Sequence, residues 1–149
     1  IQKLGGVGRA IKAVVGPASN GVLFDFVPPA NTELVPPQDW LGPVFQGAAL
    51  TVCSTGMTAY ESLAAGVPVM LTNWSPNHEV TAQELERRGV AWNLGQWQEF
   101  ESAGLAEKVS FVLDHPHQLI AMGRQGRQLV DAQGAARVAH EVRELINGP

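Results

Sequence analysis

Ser54, Thr55, Gly56 and Thr58 follow directly on an apolar run, Ala48 to Cys53, and open a helical pattern that continues to Gly66. Hydroxyls and a glycine at such a junction suit the binding of phosphate. A helix N-terminus leaves backbone N–H groups without partners and carries the positive end of the helix dipole. Gly56 would let a ligand approach the backbone closely and permits positive φ. Ser54, Thr55 and Thr58 add hydroxyl donors, and the amides around Met57 complete the set. No Lys or Arg stands beside the turn, so it is not a P-loop; phosphate charge would be met by backbone dipole and hydroxyls. A strand-to-helix corner with no ligand is the alternative.

Glu61 falls about one turn into the same helix, where a carboxylate can accept two hydrogen bonds from a ribose diol. It also completes Thr58-Ala59-Tyr60-Glu61, which fits a capping box in which Thr58 caps the helix and Glu61 bonds back. Both readings stand on spacing alone. The hydroxyls face a similar alternative, because Ser and Thr are ordinary helix caps. A second polar loop, Thr72 to His78, leaves another apolar run. Asn77 and His78 there are candidate contacts to sugar or phosphate, with helix capping as the alternative. Trp74 could stack on a sugar or base, or serve as a lid over the core.

Other chemistry-bearing residues lead less far. His115-Pro116-His117 has no partner at metal spacing, and no metal site is expected. His140 falls in an amphipathic surface helix. Cys53 ends an apolar strand and reads as buried and inert. Gly5-Gly6-Val7-Gly8 has the look of a phosphate loop, yet no strand precedes it in this chain. No Ser-His-Asp or Cys-His arrangement emerges, and no cofactor is expected.

The elements that must position these loops alternate. Strand Leu50 to Cys53 leads to the helix ending near Gly66. Strand Val67 to Leu71 leads to a helix from about Val80 to Arg88, and a short strand, Val90 to Asn93, follows. Short connections between alternating strands and helices predict an α/β fold, a Rossmann-like parallel sheet with helices on both faces. In such sheets ligands sit beyond the carboxyl ends of the strands, where both polar loops lie. From Ser102 onward the chain reads as helical, broken at His115-Pro116 and Gln133-Gly134.

The N-terminal third is less regular. Ile11 to Val15 and Val22 to Val27 read as strands, but about six residues separate them, too few for a parallel crossover. They form a hairpin around Ser19-Asn20-Gly21, or one of them is not a strand. Pro28-Pro29 and Pro36-Pro37 bracket a segment expected to stay out of any ladder. Gln38 to Gly47 reads as a short helix with Trp40, Leu41, Val44 and Phe45 on one face.

The 149 residues suffice for a single domain, expected over 1–149. A net charge of −4 with scattered basic residues argues against nucleic acid or anionic membrane as a partner. No apolar run is long enough to span a membrane, no signal peptide is evident, and one cysteine fits a reducing compartment. Cytoplasm is the expected location. The start at Ile1, with no Met, suggests residues upstream.

Val52 to Pro68 resembles the signature of nucleotide-sugar enzymes of two-domain GT-B architecture. The nearest resemblance is to the UDP-sugar hydrolases of pseudaminic acid synthesis and their spore-coat polysaccharide relatives, which are related to family 28 glycosyltransferases. Thr55-Gly56-Met57-Thr58-Ala59-Tyr60-Glu61 and Ala65-Gly66-Val67-Pro68 carry it. Asn77 stands at the first position of the family's Asn-Gln pair, with Ala82, Leu85 and Gly89 in step, and His78 replaces the Gln. Gly134-Ala135-Ala136-Arg137 resembles the family's C-terminal end.

The resemblance implies a UDP-sugar ligand, with Ser54 to Thr58 at the diphosphate, Glu61 at the ribose, and Asn77 and His78 at the sugar or phosphate. It places the base against backbone within residues 28–40. It covers only the C-terminal half of such enzymes, so the catalytic residues are expected in an N-terminal domain, in cis or as a separate subunit. The expected function is the nucleotide-binding half of a UDP-sugar hydrolase, favoured by the short spacing from Gly56 to Glu61. The alternatives are half of a glycosyltransferase, or a non-catalytic partner module.

Overall fold

A computed structural model describes residues 4, 6–16, 27–99 and 102–148. Its centre is a three-stranded parallel sheet of order β3-β4-β5, formed by Thr51–Ser54, Val69–Asn73 and Ala91–Gln96. Thr51 pairs with Val69 and Ser54 with Thr72; on the other side of β4, Val69 pairs with Ala91 and Leu71 with Asn93. Being central, β4 buries both faces. Val69 and Leu71 join Ala59, Leu63, Ala82, Leu85 and Val90 on one side, while Met70 joins Val7, Leu105, Val109, Val112 and Leu119 on the other. The sheet is therefore covered on both faces, as the near-continuous apolar runs require.

The helices follow in turn: α1 (Gly42–Phe45), α2 (Met57–Ala64), α3 (Pro76–Arg87), α4 (Ser102–Leu113), α5 (Pro116–Leu129) and α6 (Gly134–Asn147). Two of them stop in the same way. After α2, Gly66 turns to φ +78° while its N–H bonds Leu63 O and the Val67 N–H bonds Ser62 O. After α3, Gly89 adopts φ +69°, with bonds from Gly89 to Glu86 and from Val90 to Leu85. Both are Schellman closures, which need a residue free to enter the left-handed region. Each delivers a valine straight toward the next strand.

Behind α2, α5 approaches almost backbone to backbone. A Cβ at Gly123 would overlap the Gly66 carbonyl, and one at Gly126 would lie 2.9 Å from Leu63 Cδ2. Arg127 closes the same corner by donating to Ala65 O at 2.6 Å. Among the described residues no helix is long and apolar enough to cross a membrane.

Two expectations need correction. Thr32–Val35, the segment between the proline pairs, is strand β2 and pairs in parallel with β1, Ile11–Val14. The prolines stand just outside it, so all four ladder amides survive, and Thr-Glu-Leu-Val suits a strand. The crossover from β1 to β2 thus spans enough chain for parallel pairing; the expected strand to Val27 and its hairpin lie largely outside the described residues. The helix expected over Gln38 to Gly47 is a single turn, with Phe45 buried but Trp40 70% exposed. Val7, within the glycine-rich segment already set aside as a phosphate loop, enters the core.

Candidate functional site

Because β3, β4 and β5 are parallel, the loops after Ser54, Asn73 and Gln96 all open at one edge of the sheet. The first loop turns into α2 at Gly56, which is the N-cap residue at φ −169° and ψ −162°. This is extended backbone, not the positive φ that glycine permits. No heavy atom would lie within 4 Å of a Cβ there, so the space beside Gly56 is open. No side chain caps α2. Thr58 lies inside the helix, one residue past its start, so the capping box with Glu61 does not form. Glu61 is exposed, and it shares a helix face with Met57, four residues earlier and 74% exposed.

Thr55 points the other way. It is 5% exposed; its N–H donates to Thr72 O at 3.3 Å and its hydroxyl to Asn73 Oδ1 at 2.9 Å. The expected hydroxyl donor to a ligand is turned into the protein. Ser54 closes β3 and is partly exposed. Cys53 is partly buried on the same strand, and that burial pushes its thiol up to about 12, which keeps it protonated and inert.

Asn73 begins a network that sequence reasoning missed. Its Nδ2 donates to Glu79 in the first turn of α3 and, at 2.9 Å, to Asn93 Oδ1 on β5. Asn93 Nδ2 donates to Glu79 Oε1 at 2.9 Å, as does Gln83 Nε2. Asn93 Oδ1 also accepts the Gly95 N–H at 3.0 Å. Three amides thus converge on one carboxylate and hold Glu79 below the usual carboxylate range, Asn93 foremost, against some desolvation. The network ties the first loop, both neighbouring strands and α3 into one unit. Its signal in the sequence was an asparagine closing a largely apolar strand.

The second loop enters α3 through Ser75, the N-cap, with Pro76 at the first helical position. Asn77 and His78 therefore lie inside the first turn and are not caps. Asn77 is exposed, and Nδ1 of His78 is enclosed with no hydrogen-bond partner. Trp74 is no lid over the core: it is 57% exposed and stacks on Trp97, with ring centroids 4.8 Å apart and planes 16° from parallel.

No protein-family model matches this chain. It is 30% identical over 104 residues, 69% of its length and 26% of the relative's, to the NDP-glycosyltransferase YjiC of Bacillus licheniformis. It is 32% identical over 123 residues, 79% of its length, to the UDP-N-acetylglucosamine--N-acetylmuramyl-(pentapeptide) pyrophosphoryl-undecaprenol N-acetylglucosamine transferase of Azotobacter vinelandii, of which it covers 34%. It is 26% identical over 98 residues, 66% of its length and 29% of the relative's, to the spore coat polysaccharide biosynthesis protein SpsG of Bacillus subtilis. The chain thus spans about a quarter to a third of the length of these relatives.

Among solved structures, 99% of the chain superposes on 38% of the spinosyn forosaminyltransferase SpnP, with a TM-score of 0.73 at 17% identity. The glycosyltransferase VinC, solved in complex with dTDP, matches equally well over 37% of its length, with a TM-score of 0.73 at 19% identity. The fold is half of a GT-B protein. In this GT-B half, the three loops at the carboxyl ends of β3, β4 and β5 are where the fold class places a ligand.

Proposed function

We propose that this chain binds a nucleotide sugar as the C-terminal half of a glycosyltransferase-like protein. One observation carries the reading: α2 begins at a glycine with open space beside it and no side chain capping the helix, which leaves its first amides without a side-chain partner. The diphosphate would sit there, against the amides of Gly56, Met57 and Thr58 and the hydroxyls of Ser54 and Thr58. Thr55 would contribute position rather than a hydroxyl. Glu61, freed of any capping role, would take the ribose diol, and Asn77 and His78 the sugar or the outer phosphate.

The relatives' names support transfer rather than hydrolysis, since two of the three are transferases by name. Hydrolysis is the second reading, favoured by the short spacing from Gly56 to Glu61. In either case the acid–base group would come from a further domain, in cis or as a separate subunit. UDP is the expected nucleotide, with dTDP the one to compare because VinC was solved with it.

Calorimetric titration with UDP and with dTDP tests the proposal. Binding of at least one is expected, weakened by about 1–3 kcal/mol in Glu61→Ala as a charged hydrogen-bond acceptor is lost. Absence of binding by both nucleotides would overturn the reading.

A further inference from the structure

Two tryptophans lie on the surface at the edge of the sheet where the proposed nucleotide would bind. Trp74 follows Asn73, the last residue of β4, and Trp97 follows Gln96, the last residue of β5. Exposed indoles are costly, because tryptophan is among the largest apolar surfaces a chain can hide. Here both stay partly in solvent, at 57% and 37%, and stack on each other.

A specific device in β5 brings them together. Leu71 pairs with Asn93, but two residues later Asn73 pairs with Gln96, so β5 holds one extra residue in between. Gly95 sits in that interval at φ +82°, a conformation suited to a bulge. Without the extra residue, Trp97 would fall one step out of register and leave from the opposite face of the sheet. The bulge aligns the two rings, and the stack fixes Trp74 so that little rotamer freedom remains to be lost on binding.

The position selects the occupant. Neighbouring strands are about 4.8 Å apart, so the loop that carries Trp74 leaves the sheet one strand spacing from the loop that would hold the diphosphate. The group that extends that far from a nucleoside diphosphate is the sugar on its outer phosphate. A pyranose has an apolar C–H face and a polar rim. The exposed Asn77 and the half-buried His78, in the first turn of α3, offer hydrogen bonds to such a rim three and four residues beyond Trp74. We infer that Trp74, backed by Trp97, is the platform on which the sugar of the nucleotide sugar stacks. This rests on the nucleotide-sugar reading above and adds to it the subsite that separates a sugar nucleotide from a bare one.

The test compares bare and sugar-bearing ligands on the same protein. UDP, UDP-N-acetylglucosamine and UDP-glucose are titrated into the intact chain, into Trp74→Ala and into Trp74→Phe, with thermal melting as a check on folding. In the intact chain at least one sugar nucleotide is expected to bind more tightly than UDP. Trp74→Ala is expected to remove that advantage, roughly three- to tenfold, leave UDP within twofold, and let Trp74→Phe recover most of it. Equal affinity of the intact chain for UDP and both sugar nucleotides would overturn the inference. So would a Trp74→Ala variant that weakens UDP and the sugar nucleotides alike, or neither, as a docking surface for another protein would give. Binding of neither UDP nor its sugars, with dTDP also silent, would overturn the nucleotide reading itself, and the platform with it.

Discussion

The hydroxyl of Thr55 donates to Oδ1 of Asn73 across 2.9 Å, with Asn73 fully closed off from solvent. This bond joins the end of β3 to the end of β4 directly beneath the proposed diphosphate position. Thr55→Val keeps the shape but leaves a buried acceptor without its donor. The expected cost is about 1–3 kcal/mol, read from urea unfolding, because an unsatisfied buried group bears its full desolvation penalty. A loss smaller than measurement error would show that the pair contributes nothing.

Glu79 makes the same network sensitive to acid. Its carboxylate is held below the ordinary range by amide donors, Asn93 first, so folding favours the ionised form. The stability it contributes is present above the unfolded-state value, about 4.3, and is lost as pH falls through the lower folded-state value. Glu79→Gln should therefore be less stable than the intact protein at neutral pH, with the gap narrowing below about pH 4. Melting temperatures of both proteins across pH 3 to 7 provide the measurement, and a gap independent of pH would exclude this role.

Two glycines should respond in opposite ways to the same substitution. Gly56→Ala meets open space and an extended backbone, so its stability should change by less than about 1 kcal/mol. If a diphosphate lies against that backbone, nucleotide affinity should still fall. Gly123→Ala forces a methyl into the Gly66 carbonyl, and a destabilisation of about 1–3 kcal/mol is expected. Denaturant unfolding together with UDP titration separates the two effects.

The bulge is also testable by itself. Gly95→Ala adds no clash, but it places a side chain at φ +82°, where about 1–2 kcal/mol of backbone strain is expected. The variant should be destabilised and should lose near-ultraviolet circular dichroism from the Trp74–Trp97 stack. An unchanged aromatic spectrum would mean that the register does not depend on this glycine.

The strands and helices from β3 to α6 were legible to within a few residues, because apolar runs alternate there with strong punctuation at Gly66, Gly89, Pro116 and Gly134. β2 was not, since the prolines around Thr32–Val35 obscured a strand that they merely flank. Of the site, the position and helix start of Ser54 to Thr58 could be read from residue order. The inward turn of Thr55 could not, because it depends on a partner 18 residues away. The pairing of Asn73 with Asn93, and the meeting of Trp74 with Trp97, depend on the register between strands. A one-residue bulge sets that register, and nothing in the local pattern announces it.

The strand order β3-β4-β5 also has a directional consequence. Read across the edge of the sheet, the loops offer backbone amides first, then Trp74 with an asparagine and a histidine, then Trp97 stacked on Trp74. That is a gradient from charge-seeking to ring-seeking surface, laid out along one line. On the proposed reading, a nucleoside diphosphate sugar would meet it with its diphosphate at the amides and its sugar toward the indoles. The sheet edge is thus a polarised ruler, its two ends differing in the chemistry that they offer.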